Sequence, residues 1–152
     1  MILRAAAAVT PGRAMVLGAG ACEELPLVEL GERFAEVTLN DIDENPLVRA
    51  LNAPELSPLG GKLTIEIADL TGVTNSAIQE VERVLATSAD VPSGIAAMAD
   101  ALDHLQPGPF PITRQFDLVV ASCVLSQLHF ALTHESERRF TARFHGQAEA
   151  LR

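Results

Sequence analysis

The chain has no tryptophan, no tyrosine, two cysteines and a single lysine, Lys62. Cys22 and Cys123 cannot build a disulfide framework, and the free thiols suit a reducing compartment. No apolar run approaches bilayer length. The opening MILRAAAAVTPG offers one arginine and a few alanines before Pro11 and Gly12 interrupt it, which makes no signal peptide. The expectation is a cytoplasmic protein without a membrane partner. A basic stripe is also lacking: 11 basic against 20 acidic residues leave a net charge of −9, a field that repels nucleic acid. Arg138, Arg139 and Arg143 cluster, but Glu135 and Glu137 are interleaved with them, as on a solvated helix face where Glu135 pairs with Arg139. Ser122 and Ser126 lack a Gly-x-Ser-x-Gly turn and a triad, and no P-loop occurs. His129, His134 and His145 lack metal-ligand spacing, so no metal site is expected.

What is present is core-forming material. The 152 residues are 48% hydrophobic, which suits one domain, 1–152, around a single core. Ala14 to Leu17 reads as a buried strand stopped by Gly18, and Pro26 opens a helix running to about Arg33. FAEVTLNDID gives a second strand ending near Asn40 and Asp41, PLVRALN a short helix, and KLTIEIADL a third strand. In the next stretch Ser76 and Gln79 have capping-box spacing, and Ile78, Val81 and Leu85 share a helical face. Pro92, Ser93 and Gly94 break the pattern before a second face of Ile95, Met98, Leu102 and Leu105. A proline-rich loop leads to a fourth strand from Phe116 to about Ala121, and the last helix carries Phe140, Phe144 and Leu151. The order β-α-β-α-β-α-α-β-α predicts an α/β fold, a Rossmann-like three-layer αβα sandwich on a mostly parallel sheet.

In open parallel sheets ligands bind beyond the carboxyl ends of the strands. The stretch VLGAGACEEL places Gly18, Ala19 and Gly20 there after the first strand. Asp41 follows Gly20 by about 20 residues, the interval at which an acid accepts from ribose hydroxyls. A dinucleotide needs its pyrophosphate beside the next helix, where this chain has Glu23 and Glu24. Carboxylates there would repel it by a few kcal/mol in a site that excludes water. A ligand with a cationic amine and a sulfonium meets no such repulsion.

The strand-end motifs together resemble those of class I S-adenosylmethionine-dependent methyltransferases over about residues 14 to 130. VLGAGACEEL is similar to the family's glycine turn under the methionine part, and VTLNDIDENPL to its ribose motif, with Asp41 as the acid and Ile42 beside it. IEIADLTG resembles the adenine motif, which implies Asp69 as acceptor from the amino group and Ala68 or Leu70 against the ring. FDLVVASCVLSQL resembles the fourth motif, implying Ser122 in the turn beneath the cofactor. The resemblance implies S-adenosyl-L-methionine as cofactor and methyl transfer to an acceptor, with a small molecule favoured.

Two positions depart from the family pattern. Val16 stands where it has an acid, and Cys22 where it has a third glycine. Glu23 or Glu24 could supply the missing carboxylate near the methionine amine. The family order 3-2-1-4-5-7-6 would leave the fourth strand at an edge although LVVASCVL is apolar on both faces, so a fragment of a longer protein, or an edge covered by self-association, is expected. His129 is the one candidate general base, with a solvent-facing histidine as the plainer reading, and Cys123 reads as a buried inert thiol. The alternatives are an NAD-dependent oxidoreductase and a non-catalytic domain acting by association.

Overall fold

The computed structural model describes residues 1–109, 111–121 and 130–145. They divide into two compact units. One comprises Met1–Leu70 with the described part of Pro111–Val124, and the other Thr71–Phe110 with the described part of Leu125–Arg152.

The first unit is built on four strands, β1 (Arg13–Leu17), β2 (Glu36–Asp41), β3 (Leu63–Ile67) and β4 (Leu118–Ala121). All pairings are parallel, in the order β3-β2-β1-β4. The registers Leu17↔Asn40, Leu17↔Ala121 and Asp41↔Ile67 bring the carboxyl ends of all four strands to one rim. Alternation decides the faces. Ala14, Val16, Val37, Leu39 and Leu118 point to one side and form a core with Ala6 of α1 (Ile2–Ala7), Leu27 and Leu30 of α2 (Leu27–Arg33), and Leu47 of α3 (Glu44–Leu51). Leu56 and Leu59, from a 3-10 segment over Pro54–Lys62, complete it. Leu59 lies so close to Gly31 that a Cβ there would come within 2.6 Å of its Cδ1, which explains a glycine inside α2. On the opposite side Met15, Thr38 and Asn40 are fully buried, and the Thr64 hydroxyl donates to Thr38 Oγ1 at 3.2 Å.

Helix α1 is absent from the sequence-based order, because an alanine run has no apolar periodicity. Its end is held by Arg33, whose guanidinium donates to the carbonyls of Ala6, Ala7 and Val9. On β4, Val119 is 54% exposed. The Phe-Asp opening of this strand is structural. Asp117 Oδ2 accepts from Arg13 N at 2.7 Å and Asp117 N donates to Arg13 O, locking β4 to the start of β1 at the end away from the rim.

The second unit contains α4 (Thr74–Thr87), α5 (Val91–Asp103) and α6 (Phe130–Arg143). Val81, Leu85, Val91 and Phe144 form its core, with Met98, Leu102 and Phe140 against it. Ile95, expected on the buried face, is 45% exposed. The capping box expected at Ser76 and Gln79 does not form. Helix α4 begins at Thr74, and Ser76 Oγ donates back to Val73 O. The box lies instead at the start of α5, where Asp90 accepts from Ser93 N at 2.9 Å and Ser93 Oγ accepts from Asp90 N. The arginine cluster is bound as expected and further. Arg139 pairs with Glu135 and also with Glu82 of α4, while Arg143 donates to Leu85 O and Ser88 O at the end of α4.

Candidate functional site

Strand β1 stops because three left-handed residues follow it at alternate positions: Gly18 (φ 63°), Gly20 (φ 53°) and Cys22 (φ 60°). Two are glycines, for which this conformation carries no steric penalty. The third is not. Cys22 has the backbone of a glycine, with strain of about 1–2 kcal/mol for an L-residue. Its side chain is buried among the core residues, and the thiol donates to Gly20 O at 3.7 Å. The loop is fastened at both ends, by Ala19 N to Asn40 O and by Cys22 N to Ala19 O. Among the described residues the space in front of Gly20 is open, since a Cβ there would meet none of them within 4 Å.

Asp41, at the end of β2, reaches across to this loop. Its Oδ2 accepts from Gly20 N at 2.8 Å, and its Oδ1 accepts from Ile42 N at 2.8 Å and Asp43 N at 3.2 Å. A carboxylate has about four lone-pair sites. Among the described residues three are engaged, by Gly20 N, Ile42 N and Asp43 N, and the fourth, on Oδ2, meets no donor. The amide of Gly20 thus already holds an anion from within the chain. A pyrophosphate would have to displace that carboxylate and then sit beside it, with the exposed Glu23 and Glu24 on the same loop.

Beyond β3, Ala68 N makes the last rung of the ladder, to Asp41 O at 3.1 Å, and Ala68, Asp69 and Leu70 are half-buried. Ile42 and Ile67, 43% and 46% exposed, give this rim an apolar border. The structure places Gly18, Ala19, Gly20, Asp41, Ile42, Ala68, Asp69 and Leu70 at one end of one sheet. Glu23 lies on the same loop with its side chain exposed. Ser122, Cys123 and His129 lie outside the described residues.

The sequence reading missed Asn40. It is fully buried, its Nδ2 donates to Glu66 O at 3.0 Å and Ala68 O at 3.3 Å, and its Oδ1 has no partner among the described residues. Leaving a buried acceptor unmet costs about 1–3 kcal/mol, which a leucine of similar size would avoid. The available signal was an amide inside an otherwise apolar strand.

The Cys22 thiol is pushed up to about 11, first by burial and then by the Asp41 carboxylate. Below its ordinary value of 9.0 the thiol is protonated whether the chain is folded or not. Between 9.0 and about 11 only the unfolded chain ionises, so the folded state loses stability as pH rises through that interval. Iodoacetamide at pH 8 is expected to leave Cys22 unmodified in the native protein and to alkylate it in urea, with peptide mapping separating it from Cys123. Modification of Cys22 at equal rates in both conditions would contradict its burial.

Among the described residues no group of three or more His, Cys, Asp or Glu side chains could hold a metal ion, and no helix is long and apolar enough to cross a membrane. Comparison of the chain with protein-family models, curated proteins and solved structures finds no match.

Proposed function

We propose that the sheet-bearing unit binds S-adenosyl-L-methionine at the carboxyl rim of its strands and that the protein is a methyltransferase of the Rossmann-like class I type. The observation that carries this reading is the bond from Gly20 N to Asp41 Oδ2, which joins a glycine turn after β1 to an acid after β2 in a sheet ordered β3-β2-β1-β4. Among the described residues that arrangement leaves one acceptor site on Asp41 for a ribose hydroxyl and an open approach to Gly20. Ile42 offers apolar surface beside it, and Asp69 supplies a carboxylate after β3 for an exocyclic amine. The exposed carboxylates of Glu23 and Glu24 favour a cationic ligand over a phosphorylated one.

The cofactor, when bound, supplies a methyl group on a sulfonium, already activated for in-line displacement. The protein's contribution is then to position donor and acceptor. A general base is needed only for an acceptor that must lose a proton. His129 is the candidate for that role, and a small-molecule acceptor fits the acidic composition better than nucleic acid.

Calorimetric titration of S-adenosylhomocysteine and of NADH into the folded protein tests the reading. Binding of the first and not the second is expected. Preference for NADH would favour the oxidoreductase alternative, and a folded chain that takes neither would overturn the cofactor assignment. A second reading, a domain acting by association, draws on the exposed Val119 of β4. Sedimentation across a concentration series tests it, and a monomer at every concentration would remove self-association.

A further inference from the structure

The parallel ladder between β2 and β3 ends one step early. Ala68 N donates to Asp41 O, and in a continued ladder the next rung would run from Asp43 N to Ala68 O. Asp43 N is instead turned to Asp41 Oδ1, because β2 bends there to start α3 with Asp43 as its cap. The carbonyl of Ala68 is thereby left over, and the Asn40 side chain takes it. The same amide nitrogen also holds Glu66 O, and the Asn40 main-chain carbonyl receives Ala19 N from the glycine turn. One buried residue thus ties the ends of β1, β2 and β3, immediately before Asp41 and one residue from Asp69. Its Oδ1 accepts nothing among the described residues, so the amide is placed for its donor side alone.

We infer that Asn40 is the positioning residue that fixes the Asp69 segment relative to Asp41, and so sets the discrimination for a base bearing an exocyclic amine. The inference rests on the cofactor reading above. The Asp69 carboxylate can accept from an amine and is repelled by a carbonyl oxygen in the same place, so discrimination depends on where the segment after Ala68 is held. Affinity for the remainder of the ligand depends on the glycine turn and Asp41.

The test compares S-adenosylhomocysteine with S-inosylhomocysteine, in which a carbonyl oxygen replaces the amine, on the wild-type protein, Asn40→Asp and Asn40→Ser. Asn40→Asp places acceptors against two carbonyls. Asn40→Ser keeps one small donor, too short to span both, and serves if the first variant does not fold. The wild type is expected to prefer the amine by at least about tenfold, in keeping with one well-made charge-assisted hydrogen bond. In the folded variant the preference should fall to within about threefold while binding persists. A merely structural role would lower both affinities together and leave their ratio unchanged, and that result overturns the inference alone. Equal affinities in the wild type overturn it as well, with the cofactor reading intact. No binding of either ligand to the wild type overturns both.

Discussion

Asp41→Ala is expected to weaken S-adenosylhomocysteine binding at least about a hundredfold and to destabilise the protein by about 2–3 kcal/mol, because one carboxylate performs two tasks. Three backbone amides, of Gly20, Ile42 and Asp43, lose their acceptor. Each bond to a charged acceptor is worth about 1.5–3 kcal/mol, and at this half-exposed rim water replaces part of that. The loss in affinity has two sources. The ribose loses its acceptor, and the loop from Gly18 to Cys22 loses the bond that holds Gly20 toward β2. Asp41→Asn separates them. Its one amide oxygen can serve either the Gly20 amide, with a lone pair left for a hydroxyl, or the pair at Ile42 and Asp43, with none left. It should therefore lie between wild type and Asp41→Ala in both calorimetry and urea unfolding. If Asp41→Ala binds with wild-type affinity but unfolds earlier in urea, the carboxylate is a loop clamp only, and the ribose contact must be assigned elsewhere.

The strand ends were legible because their signals are local. AMVL before Gly18, VTLND before Ile42 and the alternation of Leu63, Ile65 and Ile67 each follow from periodicity and a terminating residue, and the observed strands begin and end within a residue or two of them. What the sequence hid is set by contacts distant along the chain. Helix α1 depends on Arg33, more than twenty residues on, to meet its last carbonyls. The spacing from Ser76 to Gln79 satisfies a capping box as well as any, yet the helix begins two residues before Ser76, so both residues are already inside it. Asp90 and Ser93 form the real box with a serine at the third helical position, a partner the usual Glu or Gln pattern overlooks. At the rim, Asp41 was readable from its interval to Gly20, whereas its capture of the Gly20 amide depends on loop conformation. The left-handed backbone of Cys22 was not legible, since a cysteine by itself carries no preference for it. Asn40 was passed over because its partners are main-chain carbonyls, which no residue pattern reveals.

In the helical unit, Phe144→Ala is expected to cost about 3–5 kcal/mol, the range for emptying a buried aromatic site. Phe144 is 5% exposed and packs with Val81, Leu85 and Val91, with its ring centroid 5.0 Å from that of Phe140. Arg143 holds the chain in place by donating to Leu85 O and Ser88 O, and its guanidinium lies 5.2 Å above the ring. The ring also explains Gly94, inside α5 where alanine would ordinarily be favoured by about 1 kcal/mol. A Cβ at Gly94 would come within 2.7 Å of Phe144 Cε2. The two positions should therefore couple, and with a change of sign. In the wild type Gly94→Ala gains propensity but overpacks the ring, for a net loss of about 1–2 kcal/mol. In the Phe144→Ala background the ring is gone, Leu85 Cδ2 at 3.5 Å is an ordinary contact, and the same substitution should stabilise by about 1 kcal/mol. Urea midpoints of the four proteins in the cycle measure both effects. Strict additivity would mean that the ring can move aside from α5, and the reason for a glycine at this position would then have to be sought in something other than Phe144.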